Sequence, residues 1–210
     1  MSNYAPLLWA LIAVSPAACG TGTDTALLTD PVVGEASIAA GISNDLRFLR
    51  EEEKLARDVY ITLGEHWDLP IFFNIASSEQ VHTDRVKALL DDFGIPDPVA
   101  DERVGVFDDS KLASLYEELV AQGTVSLTDA LVVGATVEDL DIKDIAEMME
   151  RTDDADVLTV YSALMCGSRN HMRAFVSQLQ SRGVEYEAQY ISQQQLNDII
   201  TTSRERCGRP

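Results

Sequence analysis

Apolar side chains recur at alternating spacings of three and four along four separate stretches, the period of one buried face of an α-helix. The first stretch runs from about Ser43, a suitable N-cap, to about Trp67, with Leu46, Leu49, Glu53, Ala56, Tyr60 and Leu63 in register. After Asp68-Leu69-Pro70 the second extends to Phe93 through Phe72, Ile75, Glu79, His82, Val86 and Leu89, and Gly94 stops it. The third spans about Ser126 to Glu150, with Leu127, Leu131, Gly134, Glu138, Asp141, Ile145 and Met148. The fourth spans about Asp153 to Arg182, with Val157, Tyr161, Leu164, Ser168, His171 and Phe175. A shorter helix is expected near Ser110 to Gln122 and another in the tail, near Ser192 to Arg206. No segment sustains the period-two alternation of a half-buried strand, so the chain reads as all-α without a sheet.

Loop lengths order these helices. The short connections at residues 68–70 and 151–152 make the first two helices, and the last two, antiparallel hairpins. Between the hairpins lies a long connection with Pro96, Pro98 and the short helix, enough to cross the length of a four-helix bundle. The bundle is expected over residues 43–190, with a C-terminal helical tail over 191–210.

Polar residues occupy the middle of every apolar stripe: Glu53 in the first, Glu79 and His82 in the second, Glu138 and Asp141 in the third, Ser168 and His171 in the fourth. A spacing of three places Glu79 with His82, and Glu138 with Asp141, on one helix face. No Lys or Arg shares these stripes. Buried without cationic partners, such carboxylates cost several kcal/mol each or take up protons. Two divalent cations would balance the four carboxylates, and two imidazoles would complete a nitrogen and oxygen shell of the kind iron, manganese or zinc accepts. One glutamate at the edge of an apolar stripe is ordinarily solvated; four interrupted stripes together point to a metal site lined by Glu53, Glu79, His82, Glu138, Asp141 and His171. Tyr60 and Tyr161 are read as core residues with a satisfied hydroxyl or as hydrogen-bond partners of the site. His66 reads as surface, and Glu117-Glu118 and Asp153-Asp154 as solvated faces or caps.

The 35 acidic against 16 basic residues, a formal charge of −19, exclude a phosphate-binding surface and hence nucleic acid as a partner. Residues 5–14, APLLWALIAV, are too short to span a bilayer and fit the apolar core of a secretory signal, expected over 1–18. Ala17-Ala18-Cys19-Gly20 is similar to a bacterial lipobox, which would lipidate Cys19 and anchor an exported protein at the cell envelope or in the periplasm; Pro16 and the lack of Lys or Arg before Arg47 depart from that pattern. The competing reading of this segment is a buried apolar helix. Residues 19–42, rich in Thr, Gly and Ala, read as a flexible tether. Cys166 and Cys207 either pair in an oxidising compartment or remain a buried thiol and a tail thiol.

The run Glu53-Lys54-Leu55-Ala56-Arg57-Asp58-Val59-Tyr60 resembles the E-x-x-A-x-x-x-Y of the first helix in rubrerythrins and other ferritin-like proteins, and Glu79-Gln80-Val81-His82 resembles their Glu-x-x-His. EEEKLARDVY, NIASSEQVH, ALVVGATVEDLDIKDI and GSRNHMRAF more closely resemble the ferritin-like family known as domain of unknown function 2202, over about Leu46 to Ala188. The resemblance implies a ferritin-like four-helix bundle with a di-iron or iron/manganese carboxylate site that reacts with dioxygen or peroxide. Glu53, Glu79 and His82 would then hold one metal and Glu138, Asp141 and His171 the other, with Asp141 replacing the glutamate expected where Ser168 stands. With no CxxC pair present, electrons would come from a separate donor. Two alternatives remain open at this level: an envelope lipoprotein that binds or stores metal without turnover, and a metal-free helical interaction module. Homo-oligomers are compatible with each.

Overall fold

The computed structural model describes the backbone of residues 31–207 and the side chains of residues 41–207. The expected signal segment, Cys19 and the first part of the tether lie outside the described residues. The described chain is all-helical: α1 (Pro31–Trp67), α2 (Pro70–Asp92), α3 (Ser110–Gly123), α4 (Leu127–Met149), α5 (Ala155–Gln180) and α6 (Gln193–Thr201). None of these helices is long and apolar enough to cross a membrane.

Two boundaries differ from the sequence pattern. The described part of helix α1 reaches back to Pro31, well before Ser43, so residues 31–42 of the expected tether are helical. Helix α6 ends at Thr201, short of Arg206. There the chain is drawn onto α5, where Glu205 pairs with Arg169 at 2.5 Å and Arg173 at 2.8 Å and Cys207 forms a disulfide with Cys166. Local chemistry sets several helix starts: Asp109, Ser126 and Asp154 each cap a helix through their side chains, and Ser192 with Gln195 forms a capping box.

Helix α1 packs on α2, α4 packs on α5, and the two pairs meet through α1 with α4 and α2 with α5. Contacts between side chains fix the directions. Along α1 and α2, Glu53 faces His82 and Arg57 faces Gln80; along α4 and α5, Asp141 faces Ser168 and Gly134 faces Phe175. Each pair is therefore antiparallel, and so are α2 with α5, where His82 meets Gly167 and Phe72 meets Phe175. Helices α2 and α4 then run the same way, and residues 93–126 must travel back along the molecule, carrying α3 against α1 and α4.

The apolar core is continuous along the helices, and Tyr60, Phe72 and Phe175 form an aromatic cluster within it, with ring centroids 5.2–6.3 Å apart. Gly134 makes room for it, because a Cβ there would collide with the Phe175 ring. The crossover gives α1 a second buried face. From Leu49 to Tyr60 every residue of α1 is buried, including Arg50, Lys54, Arg57 and Asp58. Lys54 Nζ lies 2.5 Å from Asp58 and donates to the Arg103 carbonyl at 2.9 Å. Arg57 donates to Asp58 at 2.9 Å, to Gln80 at 2.7 Å and to the Glu102 carbonyl at 3.1 Å, while Arg50 reaches Asp97, Glu102 and Thr83. Glu51 accepts the Asp108 and Asp109 N–H groups. Charge pairing thus fastens the crossover to α1.

Candidate metal centre

Halfway along the helices, two groups of ligand-type side chains converge. Glu53, Glu79 and His82 form one, and Glu79, Glu138 and His171 the other; within each, one potential donor atom per residue lies within 4.8 Å of the others. All five residues are buried. Glu79 belongs to both groups because its two oxygens face different imidazoles: Oε2 is 2.7 Å from His82 Nδ1 and Oε1 is 2.6 Å from His171 Nδ1. His82 Nδ1 also lies 3.2 Å from Glu53 Oε2, and His171 Nδ1 lies 3.5 Å from Glu138 Oε2. The two imidazole rings stack with centroids 5.5 Å apart.

Several neighbours set these orientations. Tyr60 donates its O–H to Glu138 Oε1 at 2.6 Å, so of its two expected roles the polar one is realised alongside core packing. Ser78 Oγ lies 3.0 Å from His171 Nε2, leaving Nδ1 for the interior. Gly167 provides the space the His82 ring fills, since a Cβ at that position would collide with it. Neither Ser78 nor Gly167 is marked by the apolar periodicity. Tyr161 is a buried core residue near Asp45 and Arg151, away from the carboxylates.

Asp141 departs from the ligand set read off the sequence. It is buried but stands outside both convergent groups; its Oδ2 accepts a hydrogen bond from Ser168, and its Oδ1 has no partner. Glu79, instead of serving one group, joins the two. Asp141 lies three residues beyond Glu138, and the neighbour that meets it from α5 is the Ser168 hydroxyl.

Protein atoms alone leave the centre incompletely satisfied. Glu53 Oε1, Glu79 Oε1, Asp141 Oδ1 and His171 Nδ1 are buried without a hydrogen-bond partner, and His171 Nδ1 and Glu79 Oε1 approach closely yet are not aligned for a hydrogen bond. Burial pushes the Glu53 carboxyl up to about 7 and raises Asp141 well above the usual range, with Glu53 and then Glu138 reinforcing the latter. Burial also raises Glu138. Burial would raise Glu79 too, but His171 and His82 hold it well below the ordinary carboxylate range. Against burial, Glu79 and Glu138 push His171 up to about 10, and Glu79 and Glu53 raise His82. With no Lys or Arg among these carboxylates, protons on the carboxyl groups and imidazoles supply the positive charge that the cluster lacks.

The family model described as an uncharacterized protein domain, DUF2202, matches residues 43–203, a stretch that contains both convergent groups. The chain is 54% identical over 158 residues to a Methanocaldococcus jannaschii protein named Uncharacterized protein MJ0754, covering 75% of this chain and 85% of that one. The crystal structure titled for the hypothetical protein MJ0754 from Methanococcus jannaschii matches with a TM-score of 0.77 at 46% sequence identity, over 88% of this chain and 100% of the other.

Proposed function

The chain belongs to the DUF2202 family, and from the centre it carries we propose that it is a ferritin-like four-helix bundle holding two divalent metal ions, iron or iron with manganese, for reaction with dioxygen or peroxide. The observation that carries this reading is Glu79, whose two oxygens each face a different imidazole nitrogen, with Glu53 flanking one side and Glu138 the other. The donor set fits the ions: carboxylate oxygens and imidazole nitrogens suit iron, manganese and zinc, and the unpartnered Glu53 Oε1, Glu79 Oε1 and His171 Nδ1 belong to residues that bound cations would engage. Glu53, Glu79 and His82 would hold one ion, and Glu79, Glu138 and His171 the other. Buried nearby, Asp141 supplies the fourth negative charge that balances two dications.

When bound, such ions supply electrons to an oxidant and stabilise the negative charge that develops on it. The chain's own residues prepare the place. Ser78 fixes the His171 ring, Tyr60 holds Glu138 through its hydroxyl, and the Tyr60–Phe72–Phe175 cluster keeps bulk water from one end. Both imidazoles must release protons before they can donate to a metal, so uptake is coupled to proton release.

Anaerobic loading of metal-stripped protein with two equivalents of ferrous iron, followed by addition of dioxygen or hydrogen peroxide, tests the proposal. The expected result is stoichiometric consumption of oxidant, faster than by the same iron in buffer. Full binding with no faster consumption would favour metal holding without turnover, and no binding would remove the metal reading.

A further inference from the structure

Glu52 is a buried carboxylate that neither convergent group uses. It is 4% exposed, on the side of α1 that faces α4, and both of its oxygens lack a hydrogen-bond partner. Tyr60 meets Glu138 at one end of the pair of helices and Asp45 meets Arg151 at the other, an antiparallel register that sets Glu52 across from Asp144.

On α4 a carboxylate recurs every third residue: Glu138, Asp141, Asp144 and Glu147. Each step of three advances about 4.5 Å along the axis and falls about 60° short of a full turn. The row therefore winds from the interior of the molecule to its surface. Its exposure follows: Glu138 is 2% and Asp141 6% exposed, while the Asp144 and Glu147 side chains are 16% and 51% exposed. Lys143 Nζ sits at the outer end, 2.7 Å from Asp144 and 3.0 Å from Glu147, where a positive charge is already accommodated. Glu52 stands across from the buried part of the row with two free oxygens, and Asp141 offers a third.

We propose that Glu147, Asp144, Glu52 and Asp141 form a transit lane along which divalent cations pass between α1 and α4 from the surface to the metal centre. The lane rests on the metal reading of that centre. Its donors are all oxygens, and no three of them converge as the two ligand groups do, so the lane passes hard divalent ions along without trapping them. At its mouth an ion displaces Lys143; inside, it meets Glu52 and Asp141; from Asp141 the next carboxylate along α4 is Glu138.

Stopped-flow uptake of Co2+ by the full metal-stripped chain, followed by the visible absorption of the bound ion, distinguishes the possibilities. Glu52→Gln keeps the shape and removes the charge, and Asp144→Asn does the same at a more exposed position. Both variants should load about tenfold or more slowly, the scale of electrostatic focusing on association rates, and should reach the same final occupancy as the wild type. Unchanged rates in both would overturn the lane while leaving the centre intact. A fall in final occupancy matching the fall in rate would also overturn it, making these residues ligands. If wild-type protein takes up no Co2+, the metal reading fails and the lane with it.

Discussion

Between Leu49 and Tyr60, helix α1 is buried on every side, and its two polar faces handle charge differently. Toward the crossover, Lys54 and Arg57 share Asp58, Arg50 is met by Asp97 and Glu102, and the Gly105 N–H donates to Asp58 at 3.0 Å. Toward the cluster of Glu53, Glu79, Glu138 and the two imidazoles, Glu52 and Glu53 have unpartnered oxygens and no Lys or Arg among their hydrogen-bond partners. The first face is complete as protein, and its charges hold the chain together. The second is left with unpartnered buried oxygens. Buried charge of the first kind is a structural fastening, and buried charge of the second kind is what the proposed metal site rests on.

The largest expected effect tests the completed face. Asp58→Ala strands Lys54 and Arg57 in the interior and should lower stability by about 3–5 kcal/mol, as loss of one partner of a buried pair does. Urea denaturation measures it. In metal-stripped protein above about pH 7, Glu53→Gln should have no such cost and should leave stability unchanged or higher, because it removes a buried carboxylate that is ionised there. Equal losses from the two variants would dissolve the contrast.

Metal addition comes next in size. Mn2+ or Co2+ at about 100 times its dissociation constant should stabilise stripped wild-type protein by about 2.7 kcal/mol per independent site, seen as a rise in Tm that a chelator reverses. Glu79→Gln should abolish most of that rise, since Glu79 serves both groups.

The pH dependence follows from the same difference. Because the Glu53 pKa is raised from its ordinary value to about 7, its contribution to the stripped protein is complete below about 4.5 and is lost as pH rises through 7. His171, raised to about 10, contributes fully below about 6.5 and loses that contribution only as pH rises through about 10. Metal binding favours the deprotonated ligands, so the Tm difference between loaded and stripped protein should widen from about pH 5 to about pH 8. A gap that narrows over that range would contradict the assignment.

The smallest effect concerns Ser168. Replacing it with alanine removes the hydroxyl that Asp141 accepts from and should cost about 1 kcal/mol. Metal content should be unchanged, because Asp141 stands outside the convergent groups. Loss of one ion per chain would instead make Asp141 a ligand.

The convergence of these side chains was legible in the sequence, because buried polar residues interrupt an apolar period and the period assigns them a direction. Glu53, Glu79, His82, Glu138 and His171 all follow that rule. Asp141 shows its limit: the same spacing of three joins Glu79 with His82 but leaves Asp141 on Ser168, so the neighbour on the facing helix decides and the spacing alone does not. The crossover face was not legible. Arg50, Lys54 and Arg57 recur at spacings of four and three, which amphipathic logic assigns to solvent, and only the loop folded over them makes that face interior. Glu52 was hidden for a related reason, since beside Glu51 and Glu53 it looks like part of a solvated acidic run. Ser78 and Gly167 act through one neighbour each, His171 and His82, and such pairings become visible only once the helices are aligned.

Metal stoichiometry tests the central claim most directly. Stripped protein titrated with Co2+ under anaerobic conditions, with bound metal measured by elemental analysis after gel filtration, should hold two ions per chain, and Glu79→Gln should lose both. Wild-type protein that retains no metal, or a Glu79→Gln variant that still retains two ions, would contradict the account.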